Sequence, residues 1–131
     1  MATVSFTEES GVLTTVHLPS KPPRHWNAEV LKYTLRELQQ KPRVYPSFTT
    51  AFQRRVWDAI AKIPWGKTLT YKALAERIGH PKAARAVGQA CGANRLLLVI
   101  PCHRVVGSNG GLGGFAFGLE WKRKLLEWEA S

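Results

Sequence analysis

Two helical patterns separated by a three-residue break constrain this chain more than any other stretch. Tyr71 to Ile78 reads as one helix and Lys82 to about Cys91 as a second, with Gly79-His80-Pro81 between them. Pro81 suits the first turn of the second helix, where its missing N–H costs nothing. Helix, short glycine-containing turn and helix is the shape of a helix-turn-helix. In the second helix Ala83, Val87 and Ala90 fall on one face, while Lys82, Arg85, Ala86 and Gln89 fall on another. The first set can pack inward and the second can meet a partner. A helix that reads the major groove offers several long hydrogen-bonding side chains to base edges. This face offers little beyond Arg85 and Gln89 between alanines, which suits a helix lying against a duplex without reading its sequence. One arginine there can act as a wedge or fill the space of an unstacked base.

Charge agrees with such a partner. Nineteen Lys and Arg against nine Asp and Glu give a net charge of +10, as expected of a surface that meets phosphate. The 131 residues make one domain, or one domain with a small appendage. No stretch approaches the roughly 20 apolar residues that a membrane span needs. Met1-Ala2-Thr3-Val4-Ser5 lacks a basic start followed by an apolar segment, so the expected setting is intracellular, and cytoplasmic in a prokaryote, with no membrane partner. Cys91 and Cys102 do not make a disulfide framework, and His17, His25, His80 and His103 lie at no ligand-like spacing, so no metal is implied.

Taken in order, residues 3–17 read as a hairpin: Thr3 to Phe6, a polar turn through Glu8 to Gly11, then Val12 to Leu18. After Pro19, Pro22 and Pro23, the spacing of Leu31, Leu35 and Leu38 predicts a helix from about Asn27 to Gln40, able to cover the hairpin. Lys41 to Pro46 reads as a linker. The boundary placed there divides a short N-terminal α/β element, 1–46, from a main domain, 47–131. That domain opens with a helix capped by Thr49 or Thr50, whose Phe52, Val56, Ile60 and Ile63 share a face and which Pro64-Trp65-Gly66 ends. Lys67 to Thr70 is a short extended piece. A glycine-rich stretch, Gly107 to Gly118, reads as a surface hairpin loop, although its glycines also let backbone N–H groups approach a ligand. Leu119 to Trp128 is the closing helix, with Trp121, Leu125 and Trp128 as its apolar stripe and Glu129 at its end.

The chemistry centres on Ile100-Pro101-Cys102-His103-Arg104-Val105-Val106. It places a thiol and an imidazole side by side after the apolar run Leu96 to Ile100. Free cysteine is often an inert core filler. A thiolate, however, is a nucleophile, and a nearby imidazole or a cation such as Arg104 can lower a thiol pKa from its usual value of about 8.5. Neighbouring side chains in extended backbone point to opposite faces, so a relay from Cys102 to His103 needs a bridging water or a sharp bend. The carboxylate that orients the imidazole must come from elsewhere in the chain.

Assembled, these residues resemble the C-terminal catalytic domain of the O6-alkylguanine-DNA alkyltransferases, also called methylated-DNA–protein-cysteine methyltransferases. The resemblance runs from about Thr50 to Glu129. It includes Phe52-Gln53 with Val56-Trp57, Ile63-Pro64 with Gly66, Thr70-Tyr71, Ala83 to Gly88, Asn94, Pro101 to Val106, and Leu125-Leu126 with Glu129. It implies a mixed α/β (α+β) fold, with a hairpin and helix joined to a mostly helical, winged helix-turn-helix-like catalytic domain. It further implies that Cys102 accepts an alkyl group irreversibly, with His103, a water and Glu129 forming the relay to the thiolate and Asn94 bracing the turn beneath. Tyr71 would hydrogen-bond the flipped guanine, and Arg85 would fill the vacated stack. Around Arg85, the helix residues Lys82, Ala84, Ala86 and Gln89 would lie against DNA. The Val105 carbonyl and Ala116 N–H would contact the base, with Phe115 as a pocket wall and Cys91 either a second wall or a core filler. No cofactor is implied. The expected partner is double-stranded DNA containing O6-alkylguanine, bound in the minor groove by a monomer.

The chain also departs from the family pattern. Phe115 stands where many members carry Tyr, Arg95 follows Asn94 where many have Pro, and the N-terminal element is short. Three other functions compete. A lesion-sensing relative without repair lacks the reactive cysteine, which Cys102 argues against. A winged-helix regulator would need more base-reading groups on its recognition helix. A cysteine hydrolase would turn over many times, where an alkyl acceptor reacts once.

Overall fold

The computed structural model describes residues 5–9, 12–108, 111–113 and 118–131. Strands β1 (Ser5–Glu9) and β2 (Val12–His17) form an antiparallel hairpin in which Ser5 faces His17. The expected start of the first strand at Thr3 and Val4 lies outside the described residues. Glu8 and Glu9 pair with Leu13 and Val12 instead of turning, after a register shift between Thr7 and Glu8. An exposed edge strand accepts such charged residues because both faces of its pleat are wet. Only β2 reaches the core, through Leu13 and Val16. It is tied down by backbone bonds from Leu13 N to Pro42 O (2.7 Å) and from Val16 N to Arg95 O (2.8 Å).

Helix α1 (Ala28–Gln39) starts at Asn27, whose side chain accepts from Val30 N at 3.0 Å. It buries Leu31, Leu35 and Leu38 and packs on the last helix, α5 (Leu119–Ala130). Trp26 fills the join, edge-on to Trp121 at 5.6 Å and tilted against Trp128 at 5.9 Å. The Trp121 indole donates to Pro19 O at 2.7 Å, so a buried ring meets its hydrogen-bonding need while binding the proline-rich connection. Buried residues from the hairpin, α1 and the remainder of the chain form one hydrophobic cluster across the 46/47 boundary.

Helix α2 (Ala51–Ala61) begins with a reciprocal capping box, in which Thr50 Oγ1 accepts from Gln53 N and Gln53 Oε1 from Thr50 N, each at 3.0 Å. Of the predicted face, Val56, Ile60 and Ile63 are buried and Phe52 is half-buried. Trp57 joins them and donates to Ala90 O at 2.8 Å, anchoring α2 to the end of α4 (Ala84–Gly92). After β3 (Leu69–Thr70), helix α3 (Tyr71–Arg77) is capped by Thr70 and closes with a Schellman motif. Gly79, at φ +84°, donates to Glu76 O, and His80 N donates to Ala75 O.

The second helix of the pair, α4, spans Ala84–Gly92 and so starts later than the sequence predicts. Pro81 and Lys82 form the middle of a turn closed by Ala83 N to His80 O at 2.9 Å. Pro81 therefore acts through its fixed φ at the second turn position, outside the helix. Strand β4 (Val105–Val106) pairs parallel with β3, Leu69 against Val105 and Thr70 against Val106. No helix among the described residues is long and apolar enough to cross a membrane.

The left-handed backbone at Gly79 generates a prediction. Its added Cβ would lie 3.8 Å from the Arg55 guanidinium, so Gly79→Ala meets no clash and costs only backbone strain. Urea denaturation should show a loss of about 1–2 kcal/mol. Gly92→Ala, in helical backbone with open space around it, should instead gain up to about 1 kcal/mol.

Candidate active site

The apolar run before the thiol is buried, but it is a tight turn. Ile100 N donates to Leu96 O at 2.9 Å, and Leu98 takes a left-handed φ of 72°. A leucine in that region carries strain and persists only where surrounding packing fixes it, as the burial of Leu96 through Ile100 does here. Asn94 braces the turn from inside. Its Oδ1 accepts from Leu96 N at 2.9 Å, and its Nδ2 donates to Ile100 O at 2.9 Å and to Cys102 Sγ at 3.2 Å.

Beyond Pro101, residues Cys102–Arg104 wind into one turn of 3₁₀ helix, with Arg104 N bonded to Pro101 O at 2.9 Å. This is the sharp bend that adjacent Cys102 and His103 require to serve one site. Cys102 is 4% exposed and His103 fully buried. His103 Nε2 lies 2.6 Å from Glu129 Oε2, which identifies the carboxylate behind the imidazole. Arg104 holds the same carboxylate through one bidentate edge, with Nε to Oε1 at 2.8 Å and Nη2 to Oε2 at 2.9 Å. Its remaining nitrogen donates to Ile63 O at 2.7 Å. Gly66 N adds a longer bond to Glu129 Oε1 at 3.3 Å.

These contacts set the protonation states. Burial alone would raise the Glu129 carboxyl, but the hydrogen bonds and charges of His103 and Arg104 outweigh it and hold the group at about 2. Burial lowers the His103 imidazole, against the pull of Glu129, so the ring is neutral near pH 7. An ionised carboxylate can only accept, so Nε2 carries the imidazole proton and Nδ1 keeps its lone pair. Nδ1 has no hydrogen-bond partner among the described residues. The cation facing the thiol is not Arg104, which serves Glu129, but Lys122.

Lys122 is fully buried in α5, one turn pair before Glu129. Its Nζ donates to Val105 O at 2.6 Å and approaches the Tyr71 hydroxyl at 3.5 Å. Burial lowers the ammonium to about 8, and the two cysteines oppose that fall. The hydrogen bond with Cys91 and burial together raise the Cys102 thiol well above its ordinary range, while Asn94 and Lys122 pull it down. The resting group is therefore a thiol that needs a base. Sequence reasoning missed Lys122, although residues 122, 125 and 129 repeat at helical spacing on the face that carries Glu129.

Tyr71 stands half-buried at the first position of α3. Gly113, at φ +74°, lies so near it that an added Cβ would come within 2.6 Å of its ring. On the helix pair, Lys82, Arg85 and Gln89 are exposed and Ala84 and Ala86 partly buried. Lys82 sits in the turn before α4, not in the helix. Val105 is buried with its carbonyl bonded to Lys122, and Cys91 is half-buried beside Cys102. Phe115 and Ala116, expected to line the base pocket, lie outside the described residues. Among the described residues no group of three or more His, Cys, Asp or Glu is placed to hold a metal ion.

Residues 51–131 match the family model described as 6-O-methylguanine DNA methyltransferase, DNA binding domain. The chain belongs to that family. Among methyltransferase relatives it is 55% identical, over 80 residues, to the probable methylated-DNA–protein-cysteine methyltransferase of Acanthamoeba polyphaga mimivirus, covering 61% of this chain and 53% of that protein. It is 54% identical, over 81 residues, to the regulatory protein Ada of Salmonella typhimurium, covering 62% of this chain and 23% of that one. The chain thus spans between about a quarter and a half of these curated relatives. Mycobacterium tuberculosis OGT in complex with DNA superposes with a TM-score of 0.78 at 34% identity, over 96% of this chain and 85% of that one. The hairpin and α1 therefore belong to the shared methyltransferase fold, together with the helix-turn-helix domain.

The Glu129 carboxyl also predicts how this methyltransferase-family fold meets acid. A carboxyl held at about 2 in the fold, against 4.5 for the free group, binds protons more readily when unfolded. Its stabilisation is complete above pH 4.5, fades as pH falls toward 2 and is gone below. Melting temperatures should fall more steeply over that window in the wild type than in Glu129→Gln, which has no carboxyl there to titrate.

Proposed function

We propose that this protein repairs DNA by moving the alkyl group from O6 of guanine onto Cys102. The observation that carries this reading is the buried His103, pinned through Nε2 by Glu129 at 2.6 Å, with Nδ1 unpartnered among the described residues and Cys102 preceding it in the same 3₁₀ turn. Burial keeps that imidazole neutral near pH 7. Nδ1 takes the Cys102 proton through a bridging water. Glu129 then stabilises the imidazolium, and Arg104 keeps that carboxylate charged and fixed. The thiolate, held by Asn94 Nδ2, forms a bond to the alkyl carbon as the bond from carbon to O6 breaks. The released electron pair moves onto guanine, where the Tyr71 hydroxyl donates to the ring and stabilises the departing anion. Lys122 reaches that hydroxyl and the thiol side together.

Each molecule acts once, because the product is a thioether on its own cysteine. No cofactor takes part. The unit that acts is 47–131, with 1–46 as a shortened supporting element. The partner is double-stranded DNA carrying O6-alkylguanine, met in an intracellular setting by a monomer through α3 and α4 in the minor groove. Alanines allow α4 close approach, and exposed Arg85 fills the stack when the base turns out. Phe115 and Ala116 would complete the base pocket with Cys91 and the Val105 carbonyl. A lesion sensor or a plain DNA-binding regulator has no use for a thiol in such a relay.

Intact mass after incubation with a methylated-guanine duplex should rise by one methyl per protein, carried on the Cys102 peptide. Equal labelling of Cys102→Ala would refute the acceptor assignment.

Arg85→Ala should slow reaction with duplex DNA by about tenfold or more, because unstacking costs a few kcal/mol. Reaction with free O6-alkylguanine base should change little. Equal slowing of both substrates would make Arg85 a structural residue.

A further inference from the structure

Away from the thiol, a groove of about 690 Å³ runs between the hairpin and residues 44–48. A second hollow of about 380 Å³ follows the last turn of α4 past Gly92 and Ala93. Thr15, Phe48 and Arg95 line both, so the two hollows adjoin and share these residues as a common wall of one segmented channel. Phe48 stands at the junction, and at 67% exposed it is the most exposed large hydrophobic side chain among the described residues. The Arg95 guanidinium sits 4.9 Å from its ring, and the Arg54 guanidinium 5.5 Å from the ring of Tyr45. Tyr45 is itself fixed, by a 2.6 Å bond to Asp58 and a tilted contact with Trp57. Glu9 is the only acid among the described lining residues.

We infer that this channel holds an unpaired stretch of the DNA strand bound by α3 and α4, with Phe48 as a stacking face and Arg54 and Arg95 as phosphate contacts. The inference rests on the DNA-repair reading and extends its footprint. Paired arginines and aromatic rings in a groove match single-stranded nucleic acid, whose backbone carries charge and whose unpaired bases offer free faces. Bases in a duplex are already stacked and cannot lie on Phe48. The channel also opens at the C-terminal end of α4, whose exposed face carries Arg85 and Gln89. An acidic peptide would use the arginines but leave the aromatic faces without a role.

The test compares an undamaged blunt duplex with the same duplex bearing a short single-stranded overhang, by fluorescence anisotropy on the full chain. The overhang should tighten binding about tenfold, and an abasic overhang should lose most of that gain. Phe48→Ala should remove the gain from bases, and Arg95→Gln should lower the slope of log affinity against log salt by about 0.7 for a lost single-strand phosphate contact. Melting curves establish that each surface variant is folded, and either variant alone decides. Equal affinity of the wild type for both duplexes, or a preference that survives Phe48→Ala, overturns the inference. So does binding of polyglutamate without any overhang effect. A wild type that labels Cys102 yet ignores the overhang defeats only this inference, whereas one that never labels defeats the repair reading.

Discussion

The rest of the site depends on one carboxylate. Glu129 accepts from His103, from the Nε and Nη2 edge of Arg104 and from the backbone of Gly66, and through them the last helix is bound to the 3₁₀ turn and to the end of α2. A buried ion pair is not in itself a source of stability, since removing charges from water costs more than an imperfect geometry returns. Here the geometry is close to complete: both carboxylate oxygens are satisfied, and the guanidinium's third nitrogen donates to Ile63 O. What the arrangement secures is definition. It fixes the tautomer of His103, and with it the nitrogen, Nδ1, that keeps a lone pair and that the proposed mechanism uses as its base.

The same economy links the Cys102 turn and the helix pair. Thr70 caps α3 and pairs with Val106, just beyond the thiol turn, so Tyr71 and Cys102 are referenced to one another across a two-residue parallel ladder. On the far side, Trp57 bonds to Ala90 O, so α4 is held from behind while its alanine face stays clear. Lys122 closes the cluster from α5, reaching both the Val105 carbonyl and the Tyr71 hydroxyl.

Where local chemistry decides structure, the sequence was legible. Asn27, Thr50 and Thr70 cap the helices they precede, and Gly79 ends α3 by the left-handed motif open to glycine. The resemblance brought Cys102, His103, Glu129 and Asn94 together, and they do meet. The errors arise where tertiary packing overrides local preference. Glu8 and Glu9 look like turn residues, yet cross-strand bonds keep them extended. A proline ahead of a helix pattern looks like a first-turn residue, yet His80 to Ala83 closes a separate turn. Lys122 was passed over because a lysine in an amphipathic helix is normally solvated, and only its register with Glu129 marks it as inward-facing.

The Glu129 network also bears on how the chain reaches its native state. Gly66 and Glu129 are 63 positions apart, and Ile63 and Arg104 are 41 apart. Contacts between such distant positions bring large loop-closure costs and tend to form after local helices and turns. The contacts of Glu129 with His103 and Arg104 can therefore form only when α5 docks. Until then Glu129 is not in place behind His103, so under the proposed mechanism Cys102 gains its reactivity only together with the tertiary structure.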